Sequence, residues 1–247
     1  MTKLYNKSEL WFSIIWIIIY VIGASLMDEL SIHIGISKSF TSLFLLLISL
    51  IFVIWIFKNK LNKKYGLCKP ECRSKYFLYY TPLLVLISLN LWFGISNELN
   101  LLESIFYIIS MLCVGFVEEI IFRGFLFKAM EKDNLKAAII VSSLTFGAGH
   151  IINMFTSGFS DITANLCQVC YATAVGFLFV ILFLKSKSLW PCIITHSLVN
   201  ALSLFLNEAI YSGTLEIIGS IITIVVSVAY SIIILKIVPK EDIITNE

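Results

Sequence analysis

Charge is scarce in this chain. Only 14% of its 247 residues are Asp, Glu, Lys or Arg, where a soluble domain carries about a quarter. Proline occurs four times, and no repeat, low-complexity tract or polar linker interrupts the sequence. These absences exclude a second, water-soluble domain and leave one integral membrane domain over 1–247 as the expectation. The net charge of +2 points to no nucleic-acid partner. Six cysteines form no metal or disulfide framework. Cys68 and Cys72, in "LCKPEC", lack a second Cys/His pair beside them and sit in a loop expected to be cytosolic, where thiols stay reduced. Cys113, Cys167, Cys170 and Cys192 read as small packing residues. No H-E-x-x-H occurs, which excludes the familiar zinc-protease helix.

Apolar side chains fill the space that charge leaves. They make up 59% of the chain, and the mean hydropathy is +0.93. A span needs about 20 apolar residues, and eight segments qualify: 10–27, 39–57, 76–95, 101–128, 136–155, 164–184, 189–207 and 215–235. The fold class expected is therefore all-α, a polytopic bundle of eight transmembrane helices in the cell membrane, in contact with its lipids. The first span is expected to be a retained helix, because its apolar run is longer than that of a signal peptide. With both termini cytosolic, every one of the 18 Lys and Arg residues except Lys38 falls on the cytosolic side. That asymmetry is the one the positive-inside rule demands.

Against this background the ionisable groups inside the spans stand out, since each costs upward of about 2.5 kcal/mol at membrane depth. Glu118, Glu119 and Arg123 lie on the fourth span, His150 on the fifth, and His196 with Asn200 on the seventh. Glu119 and Arg123 are four residues apart and share a helix face, so they can neutralise each other. Glu118 is turned about 100° away and can point elsewhere. His196 and Asn200 also share a face, as do Phe146 and His150. At about 1.5 Å per residue, Glu118 lies ~15 Å from the cytosolic end of its span. His196 and Asn200 lie roughly 10–17 Å from that face, and His150 about 20 Å. The groups overlap in depth and can line one cavity. A small-residue stretch around "GAGH", with Ser142 and Ser143, permits close helix approach there.

Three chemistries fit these residue types. A buried carboxylate beside histidines can act as general base on water. His and Asn can stabilise the oxyanion formed when that water attacks an amide. A Glu/His/His set can alternatively hold zinc. A purely structural reading also exists, in which a Glu–Arg pair and two hydrogen-bonded histidines only join helices. A proton-coupled transporter uses buried Glu and His too, but no pair of spans reads as an inverted repeat with broken helices.

The ordered set "EEIIFR" (118–123), "FGAGH" (146–150) and "HSLVN" (196–200), each on its own span, resembles the EExxxR, FxxxH and HxxxN motifs of the CPBP family. These are the CAAX-protease and bacteriocin-processing intramembrane endopeptidases, also called Abi. The resemblance covers roughly residues 100–207, without departure at the motif positions. It implies an eight-helix peptidase whose catalytic cavity opens to the cytosol and inner leaflet. By analogy Glu118 activates the water with help from His150, and His196 and Asn200 stabilise the oxyanion. Glu119 and Arg123 orient the site, with Phe122 and Phe146 as candidate substrate contacts. No cofactor is expected, zinc being the open alternative. The implied substrate is a small peptide or a lipidated or membrane-bound protein, in maturation of a bacteriocin or signal peptide or in self-immunity. A non-catalytic immunity or scaffold protein that keeps the motifs as structure is the competing function.

Overall fold

Local signals in the sequence set where each helix starts and stops. A computed structural model describes residues 1–152, 162–207 and 209–238. After the short helix α1 (Thr2–Lys7), Ser8 caps α2 (Glu9–Ile34), its hydroxyl accepting from the Trp11 amide at 3.2 Å. Gly35 ends α2 at a left-handed φ of 80°, which only glycine adopts without cost. The chain then turns directly into α3 (Ser39–Lys58). α4 (Thr81–Ser88) carries a proline in its first turn. Asn100 caps α5 (Leu101–Glu131), accepting from the Glu103 amide while its own amide donates to the Glu103 carboxylate. Asn134 caps α6 (Leu135–Gly149), its side-chain oxygen accepting from the Ala137 amide. α7 (Ile162–Ser186), α8 (Trp190–Leu202) and α9 (Thr214–Ile237) complete the bundle.

The protein is an all-helical, multi-pass membrane bundle. Five helices are long and apolar enough to cross a bilayer: α2, α3, α5, α7 and α9. Their exposed residues are largely Ile, Leu, Val and Phe, as lipid contact requires. The shorter apolar helices α4, α6 and α8 fall where the remaining expected spans lie. Thr2 and the last described residue, Val238, sit at the same end, where Lys185 donates to the Val238 carbonyl. That end carries the lysine-rich loops. Lys64 bonds Glu9 at 2.7 Å and the Tyr5 hydroxyl at 2.8 Å, while Cys68 and Cys72 donate to the Lys187 and Lys185 carbonyls. The opposite end holds the turn after α2, tied to α5 by the Ser37 amide on Glu103.

Three of the eight expected spans differ from continuous 20-residue helices. The segment 76–95 is broken into 3₁₀ turns at Ser74–Tyr80, α4, and a further turn at Leu89–Leu91, with irregular chain beyond. Leu78, Tyr79 and Tyr80 take left-handed φ of 49°, 52° and 61°, and Asn90 spends its amide on the Val199 carbonyl of α8 at 2.8 Å. α6 stops at Gly149, and 153–155 of the expected fifth span lie outside the described residues. α8 passes at Leu202 into one 3₁₀ turn, Ser203–Phe205. The early stops of α6 and α8 matter because these two helices carry the histidines.

Candidate active site

The site begins with a change of helical winding. α5 is regular from Leu101 to Glu119, then widens to π-helical turns over Ile120–Phe127. π turns insert a residue into the ladder and re-aim the side chains that follow. Every residue of the wide segment is buried, Arg123 at 0% exposure among them. A carbonyl within it, that of Phe122, is taken up by the Ser142 hydroxyl of α6 at 2.8 Å. This bond pins α6 against the π turns.

One turn earlier, Gly115 lets α8 reach α5. A Cβ at this position would lie 2.5–2.6 Å from the Ser197 backbone nitrogen and Cα, so only glycine admits this approach. Ser197 completes the contact by donating to the Leu112 carbonyl at 2.9 Å. Its neighbour His196 is thereby placed over Glu119.

The two adjacent glutamates have different surroundings. Glu119, at 0% exposure, has one oxygen, Oε1, that accepts from Arg123 and meets Nδ1 of His196, both at 2.9 Å. A carboxylate paired with arginine is an acceptor, so Nδ1 carries the hydrogen and Nε2 turns away from Glu119. The guanidinium lies 4.0 Å from the centre of the Phe146 ring and 5.5 Å from that of Phe179, a cation–π arrangement on its remaining face. Glu118 instead faces the cavity. Its Oε1 accepts from the Tyr20 hydroxyl of α2 at 2.5 Å. Its Oε2 stands 3.6 Å from Nε2 of His196. His196 thus bridges the two carboxylates, one on each ring nitrogen.

His150 follows the last turn of α6, its ring edge-on to Phe146 at 5.5 Å. It is near enough to Glu118, His196 and Arg123 for their charges to act on it. Phe146 touches His150, His196, Phe122 and Arg123 in turn, making it the hub of the site. Asn200 lies one turn along α8 from His196 and lines the same cavity. The structure therefore brings together all eight residues singled out in the sequence: Glu118, Glu119, Phe122, Arg123, Phe146, His150, His196 and Asn200.

The cavity has a volume of about 900 Å³, within the range of about 300–1,000 Å³ of ligand pockets. Phe122, Phe146 and Phe179 form its floor beside Glu118 and His196, and Asp28, Glu29 and Lys38 stand at its far end. Its walls rise from Glu118 away from the lysine-rich end of the bundle. Toward the lysine-rich loops Phe12, Phe52, Trp55, Tyr65 and Phe125, all under 8% exposed, interlock with ring centres 5.0–6.0 Å apart. Among the described residues, no three His, Cys, Asp or Glu side chains converge closely enough to hold a metal ion.

Tyr20 was not among the residues read from the sequence, though a signal existed. It is a lone tyrosine in the middle of an apolar span, and a buried phenol needs a hydrogen-bond partner. The π turns and the Glu119–His196 bond left no comparable trace.

Residues 100–202 match the family model described as "Type II CAAX prenyl endopeptidase Rce1-like". The protein named "Putative membrane peptidase YdiL", from Bacillus subtilis (strain 168), is 31% identical over 118 residues, covering 44% of this chain. The match spans 43% of that relative's own length. No solved structure matches the chain. Tyr20 and the aromatic layer contributed by α2 and α3 lie outside the region that the family model covers.

Proposed function

We propose, from the match of residues 100–202 to the Rce1-like endopeptidase model and the likeness to a membrane peptidase, that the chain is a membrane peptidase of the CPBP type that hydrolyses a peptide bond with a water activated by Glu118. The observation that carries this reading is the division of labour between the glutamates. Glu119 is fully buried and tied through Oε1 to Arg123 and His196, whereas Glu118 lines a roomy cavity, with Oε1 on Tyr20 and Oε2 toward Nε2 of His196. Helix-joining polar groups need no such cavity.

The chemistry follows from the hydrogen-bond directions. Tyr20 donates to one Glu118 oxygen, leaving the other to take a proton from water. His150 holds that water from the α6 side. The hydroxide attacks the carbonyl carbon, and the charge moves to the carbonyl oxygen. Nδ1–H of His196 is committed to Glu119, so His196 donates to that oxyanion through Nε2–H as the imidazolium. Asn200 adds its amide N–H. Collapse of the intermediate expels the amine, which takes the proton from Glu118. In this state Glu118 and Glu119 balance Arg123 and His196, so the quartet is neutral overall and its burial is tolerable. No step requires a cofactor. The substrate class we favour is a bacteriocin or signal peptide undergoing maturation or, in self-immunity, destruction.

The test uses purified wild type, Glu118→Gln and His150→Ala with a pool of quenched-fluorescent peptides, with and without a chelator. Wild type cleaves, and Glu118→Gln loses about 10²–10⁴-fold. Undiminished cleavage by Glu118→Gln sinks the reading in favour of a scaffold that retains the motifs as structure. Inhibition by the chelator assigns the water to a bound metal.

A further inference from the structure

Of the two side chains read as oxyanion donors, Asn200 is the one that no side chain aims. His196 is fixed by Glu119 through Nδ1, whereas among the described residues nothing bonds the Asn200 side-chain amide. Its direction is therefore set by the backbone that bears it. That backbone lies where α8 runs out. The helix ends at Leu202, so the carbonyls of its last turn lack the amides that a longer helix would offer. Inside a membrane they must find other donors.

The Ser203 amide divides itself among the carbonyls of Val199, Asn200 and Ala201, and two side chains complete the first two. Asn90, in the 3₁₀ turn Leu89–Leu91 of the broken segment, donates from Nδ2 to the Val199 carbonyl at 2.8 Å. The Ser203 hydroxyl donates to the Asn200 carbonyl at 2.7 Å. That spends its single hydrogen, so in the 2.8 Å contact with Tyr107 of α5 it is the phenol that donates. The Val199 carbonyl belongs to the peptide plane that enters Asn200, and the Asn200 carbonyl to the plane that leaves it. Each plane is rigid, so holding both fixes φ and ψ at Asn200 and with them the direction of its Cα–Cβ bond. Asn90, Tyr107, Asn200 and Ser203 all line the cavity.

We infer that Asn90 and Tyr107 are positioning residues for Asn200. They clamp the peptide planes on either side of it, Tyr107 through Ser203, and so aim its amide at the oxyanion. Asn90 does this from outside the region that the family model covers. The inference rests on the oxyanion role given to Asn200 above.

The experiment compares wild type, Asn90→Leu and Tyr107→Phe, each alone and combined with Asn200→Ala. On a peptide that wild type cleaves, Asn90→Leu is expected to lower kcat by up to about 10²-fold, and Tyr107→Phe by less, with KM kept. In the Asn200→Ala background neither substitution lowers kcat further, because residues that act as a unit are not additive. Losses that multiply in that background, or an unchanged kcat in both single variants, overturn the inference. Tyr107→Phe, which removes only a hydroxyl, decides alone if Asn90→Leu does not fold.

A second readout needs no cleavage. Protein carrying nitrogen-15 only in its asparagines is observed by NMR in detergent, where the Asn200 side-chain signal is the one that Asn200→Ala deletes. Asn90→Leu and Tyr107→Phe are expected to shift or broaden it. A signal that neither moves overturns the inference, even in a protein that cleaves. A displaced signal in a protein that cleaves no peptide keeps the clamp and removes the peptidase reading.

Discussion

At the scale of single residues, the site is a lesson in how four ionisable groups share one dry volume. Arg123 has no exposure, and its charge is met by one carboxylate and one aromatic face. Removing it leaves two buried carboxylates, Glu118 and Glu119, against His196 alone. Arg123→Ala is therefore expected to cost about 3–5 kcal/mol, read as lost yield of folded protein in detergent as well as lost cleavage. Normal yield with reduced cleavage shows the pair to be orienting and not structural. Tyr20 makes the converse case. Tyr20→Phe keeps the ring and removes only the donor to Glu118. A hydrogen bond to a charged group is worth about 1.5–3 kcal/mol, so kcat should fall by roughly tenfold or more while the folded yield stays unchanged. An unaltered kcat means that water replaces the phenol.

At the scale of elements, close approach decides where the chemistry sits. α8 rests on α5 at Gly115, and the π turns that follow aim Arg123 back at Glu119. Gly115→Leu puts a branched side chain where the Ser197 backbone already lies. The expected loss is about 1–3 kcal/mol of stability, together with cleavage, because His196 moves off Glu119. Thermal unfolding in detergent and the peptide assay measure the two effects separately.

Legibility follows the same line. Hydropathy found the long helices because it averages over a window, and the motif spacing grouped Glu119 with Arg123, Phe146 with His150 and His196 with Asn200 because i,i+4 partners share a face. The average could not see the break at Leu78–Tyr80, nor that Asn90 leaves its own span to brace α8. Helix spacing also assumes 3.6 residues per turn, so the π turns at Ile120–Phe127 were invisible to it. Tyr20 meets Glu118 across 98 residues of sequence, a contact that no local pattern records.

At the scale of the whole molecule, the two ends are built differently. The lysine-rich end is tied shut: Lys64 joins the loop after α3 to Glu9 and Tyr5. Burial works against its charge, but the bonds to Glu9 and Tyr5 and the Glu9 charge outweigh this, lifting the Lys64 pKa above its ordinary 10.5. A cation favoured by the fold contributes its stability in full below the unfolded pKa and loses it as pH rises through the raised folded value. Stability in detergent should therefore fall as pH climbs above 10.5, and Lys64→Met should flatten that decline. A decline of equal slope in both proteins assigns it to other groups.

The aromatic layer beneath Glu118 has an electrical consequence. Packed rings exclude water and ions, so the layer around Phe125 acts as the dielectric of a capacitor and a share of the transmembrane voltage falls across it. Moving one elementary charge through that drop is worth about 2.3 kcal/mol per 100 mV. Glu118 and His196 stand where the cavity meets that layer. Arg123 and Glu119 lie at the upper edge of the insulator as a pair of opposite charges, on which the field does almost no net work. On the proposed peptidase reading, cleavage is therefore expected to run at the same rate in energised and in depolarised vesicles.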